Sequence, residues 1–200
     1  ATGFFDWPRR LRVPGEELPK VVHRFDEGHP YYDRDVAVIG GRGAACEAAL
    51  ELRRAGARVT LIHRGQRVQT KYWIQPELEN RIGHGEIDWL PAATVERIEE
   101  ESIIVRRGDQ SQELRNDAVI VQIGYSPDLT LLEGIGVTVG GPDQAPSYDP
   151  DTYQTNVPGL FVCGSVAAGA RAGSIFIETA RFHGEKIVSA LIGGTAAPRR

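Results

Sequence analysis

Apolar runs alternate with helical patterns along the chain in an order typical of an α/β protein. Residues 36–39 form a short apolar run that ends in glycines and passes directly into an Ala/Glu/Leu-rich helical pattern. A second apolar run covers 57–63, and a nearly continuous one covers 118–124, as buried parallel strands require. The pattern predicts an open, mostly parallel, Rossmann-like sheet with helices on its faces.

The region between the second and third runs predicts a helix and a β-meander. Gln75–Ile82 has helical character, with Pro76 suited to a first helical turn. Apolar and polar residues alternate as in strands over 86–90, 94–98 and 102–107, and a short polar strand follows the turn at Gly108-Asp109. The meander would cover one face of the parallel sheet.

The two ends of the chain are less regular. Residues 1–30 are rich in Pro, Arg and aromatic residues, which predicts a connecting arm with turns. Near the other end we expect a short helix at Leu129–Gly134 and a strand ending in a turn at Gly159–Ser165. Apolar residues at three- and four-residue steps predict a final helix from about Arg171 to Leu191.

The glycine-rich turn Gly40-Gly41-Arg42-Gly43 gives this pattern its candidate chemistry. It stands between a predicted strand and a predicted helix, which is the arrangement that holds a dinucleotide pyrophosphate. The helix N-terminus offers free backbone N–H groups and a positive dipole to the phosphates.

Residues at the end of the second strand indicate which dinucleotide binds. An NAD site usually has Asp or Glu there, whereas this chain has His63-Arg64, with Arg67 and Lys71 close behind. Because cations suit a 2′-phosphate, we predict NADPH over NADH. The alternative is that these residues are solvated loop cations.

The composition of the chain limits the classes of protein to which it can belong. Two hundred residues allow one large or two small domains, and a net charge of −4 argues against a general nucleic-acid binder. No apolar run is long enough to cross a membrane and no signal peptide is evident, so we expect a cytoplasmic protein. Cys46 and Cys163 form no C-x-x-C motif and are expected to be small buried hydrophobes. No His/Cys/Asp/Glu cluster has metal-ligand spacing, so no metal site is predicted.

Taken together, the motifs resemble one family. The matching segments are Ala1-Thr2-Gly3, 36–50, 57–65, 73–77, 123–128, 159–165 and 175–184. In order and spacing they resemble the later part of a thioredoxin-reductase-like FAD/NADPH flavoprotein, closest to the bacillithiol-disulfide-reductase-like group. In that family an NADPH domain interrupts an FAD domain.

The resemblance implies a domain organisation. Residues 1–30 would be the end of the first FAD segment and the connecting arm, and residues 31–126 the NADPH-binding domain. Residues 127–200 would be the second FAD segment with the C-terminal helix. Most of the first FAD segment has no counterpart here, so we expect a fragment or a truncated relative.

The same resemblance assigns residues to each cofactor. Those expected to hold the NADPH pyrophosphate are Gly40, Gly41, Arg42, Gly43, Ala44 and Ala45. His63, Arg64 and Arg67 would face the 2′-phosphate, and Gly124 and Tyr125 would lie near the nicotinamide ribose or at the domain seam. Those expected to approach FAD are Thr2, Gly3, Gly164, Ser165, Ser174, Ile175 and Phe176.

The implied activity is that of a flavoprotein disulfide oxidoreductase. Hydride would pass from NADPH to FAD and then to the disulfide of a low-molecular-weight thiol, such as bacillithiol disulfide, and a homo-oligomer is possible. The missing C-x-x-C argues against direct reduction of thioredoxin. His183 could be an acid near the flavin, although a lone helical histidine is more often a structural hydrogen-bonder.

Two other functions stay open. The chain could be a non-catalytic NADPH-binding fragment or subunit without a complete FAD site of its own. It could also be an NADPH-dependent reductase without flavin, but the sequence lacks the close Tyr/Lys or Ser/Tyr pairing that proton delivery normally needs.

Overall fold

The computed structural model describes residues 1–3 and 7–193, without the side chains of 172–174. The chain forms two compact units, one of residues 9–124 and one of residues 1–8 with the chain from Tyr125 onward. The strands in chain order are β1 (Trp7–Pro8), β2 (Val21–Val22), β3 (Asp35–Ile39), β4 (Arg58–His63), β5 (Ile87–Pro91), β6 (Ala93–Ile98), β7 (Ser102–Arg107), β8 (Gln110–Arg115), β9 (Ala118–Val121), β10 (Tyr125–Ser126), β11 (Val139–Gly140) and β12 (Ala145–Pro146). The helices are α1 (Gly43–Arg54), α2 (Gln75–Gly83), α3 (Thr130–Gly134) and α4 (Ile177–Ile192), with 3-10 segments at His29–Tyr31 and Ser165–Ser174.

A five-stranded sheet of order β2-β9-β3-β4-β5 forms the centre of the larger unit. All four of its strand pairings are parallel, so the predicted parallel sheet is confirmed. Because the strands run in one direction, β9, β3, β4 and β5 all end at the same side of the sheet, which we call the carboxyl edge. The chain leaves β3 toward β4 on one side, while β9 lies on the other, and such a reversal of strand order opens a crevice at the carboxyl edge.

Alternating side chains bury both faces of this sheet. Val38 and Leu61 pack against α1 and α2 on one face. Their neighbours Ile39 and Ile62 point to the opposite face, where they join Val105 of the meander. The antiparallel strands β6, β7 and β8 form that meander in sequence order, so the predicted cover over one face is confirmed.

Of residues 1–30, predicted as a connecting arm with turns, residues 9–30 belong to the larger unit. Strand β2 adds to the sheet beside β9. The buried Glu16 carboxylate accepts the backbone N–H groups of Leu11 and Arg12, each at 2.7 Å. At Gly15, with a φ of 82°, a Cβ atom would lie 1.8 Å from the Ile98 carbonyl oxygen, so only glycine allows the arm to approach the meander this closely.

In the smaller unit, the predicted strand at Gly159–Ser165 is wrong. Phe161 makes only an isolated antiparallel bridge, with Gln154. Thr155, the residue after Gln154, bridges Tyr148 and not the run that contains Phe161. Because the pairing partner changes after one residue, no ladder develops and the apolar run stays irregular.

The final helix begins six residues later than the sequence pattern predicted, at Ile177 instead of Arg171. Gly169 interrupts the preceding 3-10 segment with φ 51° and ψ −126°. Phe176 is extended, and the Thr179 hydroxyl accepts its N–H at 3.2 Å and donates to its carbonyl at 3.0 Å. This cap starts the helix, which the apolar spacing alone cannot locate.

Candidate functional site

The turn after β3 crosses the carboxyl edge in close contact with the end of β9. Gly40 has a φ of 147°, and its N–H donates to the Ile62 carbonyl at 3.0 Å. A Cβ atom at Gly40 would lie 2.3 Å from the Gln122 carbonyl oxygen and 2.7 Å from the Ala45 side chain. Both the backbone conformation and the space therefore require glycine here.

The second glycine of the turn is covered by the His63 ring. A Cβ atom at Gly41 would lie 2.4 Å from that ring, and one at Gly65 would lie 2.7 Å from its Nε2 atom. The Gly41 carbonyl accepts the N–H of Gln69 at 2.6 Å. The loop that follows β4 is thereby fastened to the glycine turn, with the imidazole between them.

Helix α1 opens at this turn without a side-chain cap. Arg42 is its extended N-cap, and the Arg42 side chain makes no capping hydrogen bond with the first-turn N–H groups. Ala44 is exposed in the first turn, whereas the Ala45 side chain is buried beneath it. A Cβ atom at Gly43 would meet nothing nearer than the Thr70 hydroxyl, at 4.0 Å. The first-turn N–H groups and the positive end of the helix dipole face the carboxyl edge, as an anion site requires.

Uncompensated positive charge surrounds this helix terminus. Arg42, Arg64 and Arg67 are exposed, and no carboxylate of residues 1–3 and 7–193 lies within ion-pair distance of any of them. By contrast, Lys71 is paired with Glu47 at 3.0 Å. The three predicted arginines therefore lie at one edge of the sheet and have no carboxylate partner among the described residues. The charge of Lys71, in contrast, is compensated by Glu47.

The electrostatics of His63 reflect the same cluster. Burial lowers the pKa of His63, and the guanidinium groups of Arg64 and Arg42 lower it further. The ring also stacks on Trp89, with centroids 6.2 Å apart. His63 is therefore held neutral, and the formal positive charge at this edge lies on the arginines.

The remaining residues predicted for NADPH are Gly124, the last residue of the larger unit, and Tyr125, which follows it in the chain. Gly124 follows β9 with a φ of 100°, and its carbonyl accepts the N–H of Arg9 at 2.9 Å. Tyr125 begins the smaller unit, where β10 pairs with β1 through Tyr125 opposite Pro8. Their predicted place near the nicotinamide ribose stays a prediction.

The residues predicted for FAD lie in the smaller unit. Gly164 has a φ of 74°, and Ser165 opens the 3-10 segment. Ile175 packs against the apolar core of this unit, while Phe176 is 61% exposed. Thr2 is exposed and Gly3 has a φ of 87°. The side chain of Ser174 lies outside the described residues.

His183 is the buried residue of α4 within the described part of the chain. Its Nδ1 atom accepts the N–H of Gly164 at 3.2 Å, and its ring stacks on Tyr153 with centroids 4.3 Å apart. Burial and the nearby Lys186 ammonium lower the pKa of His183. An imidazole that accepts at Nδ1 is neutral, and these contacts favour the structural alternative over an acid.

The two cysteines differ in environment. Cys46 is fully buried in α1, and burial raises the pKa of its thiol to about 11. Its predicted role as a small buried hydrophobe is therefore confirmed, whereas Cys163 is half-buried.

In the part of the chain that the structure describes, no three His, Cys, Asp or Glu residues are grouped as metal ligands. No helix of that part is long and apolar enough to cross a membrane.

Two residues that shape the site are not predicted by the sequence pattern. Gln122 sets the space at Gly40, and Gln69 ties the loop after β4 to Gly41. Gln122 acts through its backbone carbonyl, which any residue would supply, and Gln69 through its backbone N–H, which any residue except proline would supply. Isolated loop glutamines carry no signal of such a role.

Comparison with known proteins places this geometry in a family. Residues 1–164 match the family described as Pyridine nucleotide-disulphide oxidoreductase, and the chain belongs to it. Bacilliredoxin reductase Bdr of Bacillus subtilis (strain 168) is 45% identical over 192 residues, which are 94% of this chain and 59% of that protein. The predicted family resemblance is confirmed.

Solved structures agree. Bacillithiol Disulfide Reductase Bdr from Bacillus cereus matches with a TM-score of 0.88 and 42% identity, over 94% of this chain and 59% of that one. The Staphylococcus aureus protein of the same title matches with a TM-score of 0.90 and 38% identity, over 98% and 62%. Thioredoxin reductase of T. acidophilum, at 19% identity and a TM-score of 0.76, shares the fold. The chain spans about 59% of the length of the B. subtilis relative.

Two alanine substitutions in the glycine turn should differ in their effect on stability. Gly40→Ala should lower the free energy of unfolding by about 2 kcal/mol or more, because the new Cβ would meet the Gln122 carbonyl at a strained φ. Gly43→Ala adds the same atom in open space in a helical first turn, so stability should stay within about 1 kcal/mol or rise. Urea denaturation measures both, and equal losses would contradict this geometry.

Proposed function

We propose that this member of the pyridine nucleotide-disulphide oxidoreductase family binds NADPH at the carboxyl edge of the parallel sheet. The observation that carries the proposal is the uncapped N-terminus of α1 beside three arginines without carboxylate partners among the described residues. The pyrophosphate would accept the first-turn N–H groups of Gly43, Ala44 and Ala45.

The arginines support NADPH over NADH. Arg64 directly follows β4, at the position where an NAD-specific protein would place a carboxylate for the ribose hydroxyls. A guanidinium there would bind a 2′-phosphate with charge-assisted hydrogen bonds. Because Arg42 lies near the same imidazole as Arg64, we extend its proposed contact from the pyrophosphate to the 2′-phosphate.

We further propose a flavin disulfide reductase as the activity of the whole protein. The B. subtilis relative is named a bacilliredoxin reductase, and the B. cereus structure is titled a bacillithiol disulfide reductase. With NADPH and FAD bound, the cofactors would supply hydride transfer to a low-molecular-weight disulfide, so that NADPH, a proton and RSSR become NADP⁺ and two RSH.

In this proposal the smaller unit contributes backbone and packing to the FAD site. Gly164 directly precedes a 3-10 segment that begins at Ser165 and whose N–H groups suit phosphate or ribityl oxygens, and Phe176 offers an exposed ring. His183 would hold Gly164 in place through its Nδ1 atom. A cytoplasmic location and a homo-oligomeric state remain predictions.

The competing proposal is a non-catalytic NADPH-binding fragment or subunit. It is supported by the position of the glycine turn and the three arginines, which all lie within the larger unit. In that case the residues at the carboxyl edge would bind NADPH as described, and flavin would require a further segment or chain.

Arg64→Ala tests the cofactor preference. We expect the Kd for NADPH to rise about tenfold or more and that for NADH to change by less than about twofold, since only NADPH carries the lost phosphate contact. Fluorescence titration with each reduced nucleotide gives both constants. Arg107→Ala, an exposed arginine at the end of β7, is the matched control and should leave both unchanged. Parallel losses for the two nucleotides in Arg64→Ala would show that this residue does not recognise the phosphate.

A visible absorbance spectrum separates the two proposed activities. The purified protein is measured before and after incubation with FAD and gel filtration. Retained flavin bands are expected for a chain with a working FAD site. Loss of all flavin together with intact NADPH binding would instead favour the nucleotide-binding fragment.

A further inference from the structure

Two adjacent aromatic side chains stand in solvent on the loop that leads from β4 to α2. Tyr72 is 83% exposed and Trp73 is 61% exposed. Their rings meet edge to face, with centroids 4.9 Å apart. A tyrosine and a tryptophan so exposed at adjacent positions are an unusual use of apolar surface in a folded unit.

The local backbone forces both rings outward. The N–H of Ile74 donates to the Lys71 carbonyl at 2.9 Å, which closes a helical turn before α2. Ile74 itself is buried, in the cluster with Leu78. Because Ile74 points into the core from this turn, Tyr72 and Trp73 are directed away from it.

The aromatic pair is also tied to the proposed phosphate site. The Lys71 ammonium lies 5.4 Å from the centre of the Trp73 ring and 3.0 Å from the Glu47 carboxylate of α1. Two residues earlier, Gln69 is bonded to Gly41 and forms an isolated parallel bridge with Arg42. One short loop thus joins the glycine turn, the second turn of α1 and the two rings.

Another exposed aromatic residue of the larger unit has a local structural reason. Tyr32 is 72% exposed, yet its ring covers Gly56, where a Cβ atom would lie 2.8 Å from Cδ2. Tyr72 and Trp73 contact each other, and the Lys71 ammonium lies over the Trp73 ring. Their exposure therefore points to a ligand rather than to packing.

We propose that Tyr72 and Trp73 form a platform on which the adenine ring of NADPH stacks. The inference rests on the proposed NADPH site and extends it to the base. In NADPH the adenine is joined to the ribose carbon next to the one that carries the 2′-phosphate. A phosphate held by Arg64 or Arg67 therefore leaves the base beside the loop that carries the two rings. Aromatic side chains stack on the face of a base in water with useful affinity, and Lys71 adds a cation near the same ring.

Half-cofactors isolate this contact from the rest of the site. Adenosine 2′,5′-bisphosphate contains the base and the 2′-phosphate, whereas reduced nicotinamide mononucleotide contains neither. Calorimetric titration of the protein with NADPH and with each half-cofactor is carried out for the parent, Trp73→Ala and the double variant Tyr72→Ala/Trp73→Ala. Trp73→Phe keeps an aromatic face, and Tyr32→Ala removes an exposed tyrosine elsewhere on the same unit.

The platform predicts a loss confined to ligands that carry adenine. The Kd for NADPH and for the bisphosphate should rise about tenfold or more in the double variant. Trp73→Phe should stay within about threefold of the parent, and Tyr32→Ala should be unchanged. Any affinity for nicotinamide mononucleotide should be the same in all variants. Adenine-ligand affinities unchanged in the double variant, or reduced as much in Tyr32→Ala, would overturn the platform.

Failure of the platform and failure of the NADPH site give different results. If the parent binds NADPH with an Arg64-dependent affinity but the double variant binds it equally well, the platform alone is overturned, and these rings then serve another partner such as a protein. If the parent binds neither NADPH nor the bisphosphate, both proposals are overturned. Circular dichroism of each variant confirms that the compared proteins are folded.

Discussion

The close passage of the glycine turn over the end of β9 is the constraint on which the site depends. At Gly40 the backbone takes a φ of 147° and leaves no room for a Cβ atom below the Gln122 carbonyl. This contact lets the chain turn sharply from β3 into α1. The first N–H groups of α1 are then presented at the carboxyl edge, in the crevice where β9 and β4 flank β3.

Charge is distributed unevenly between the two edges of the sheet. Toward the amino ends of the strands, Arg58 is paired with Asp35 at 2.6 Å and Arg53 with Glu86 at 2.9 Å. At the carboxyl edge Arg42 and Arg64 have no such partner among the described residues. A chain of net charge −4 therefore carries a local positive field at one place, where a phosphorylated ligand would provide the missing charge.

Strong periodicity made the larger unit predictable. The step from the apolar β3 through the glycines into α1, and the alternation of β6 and β7, depend on local spacing, which the sequence displays directly. The elements of the smaller unit are less predictable from sequence, because their boundaries depend on tertiary contacts. The start of α4 is set by the cap at Phe176 and Thr179, and the run at 159–165 fails as a strand because its pairing partner changes.

In the candidate site, too, features set by local sequence are predictable and features set by tertiary contacts are not. The glycines and arginines could be selected from sequence because a strand–turn–helix motif needs them at fixed positions. The covering of Gly41 by His63 and the approach of Gln122 could not, since both join segments distant in sequence. The partly buried neutral state of His63 likewise follows from packing that no local pattern encodes.

Hydrogen exchange followed by mass spectrometry, with and without saturating NADPH, tests the central claim most directly. If NADPH binds at the carboxyl edge, amides of residues 40–46 and 63–70 should exchange more slowly with the nucleotide, while the β7–β8 strands of the meander stay unchanged. Protection centred on the meander or on the amino ends of the parallel strands, with none at residues 40–46 under saturating nucleotide, would contradict the account.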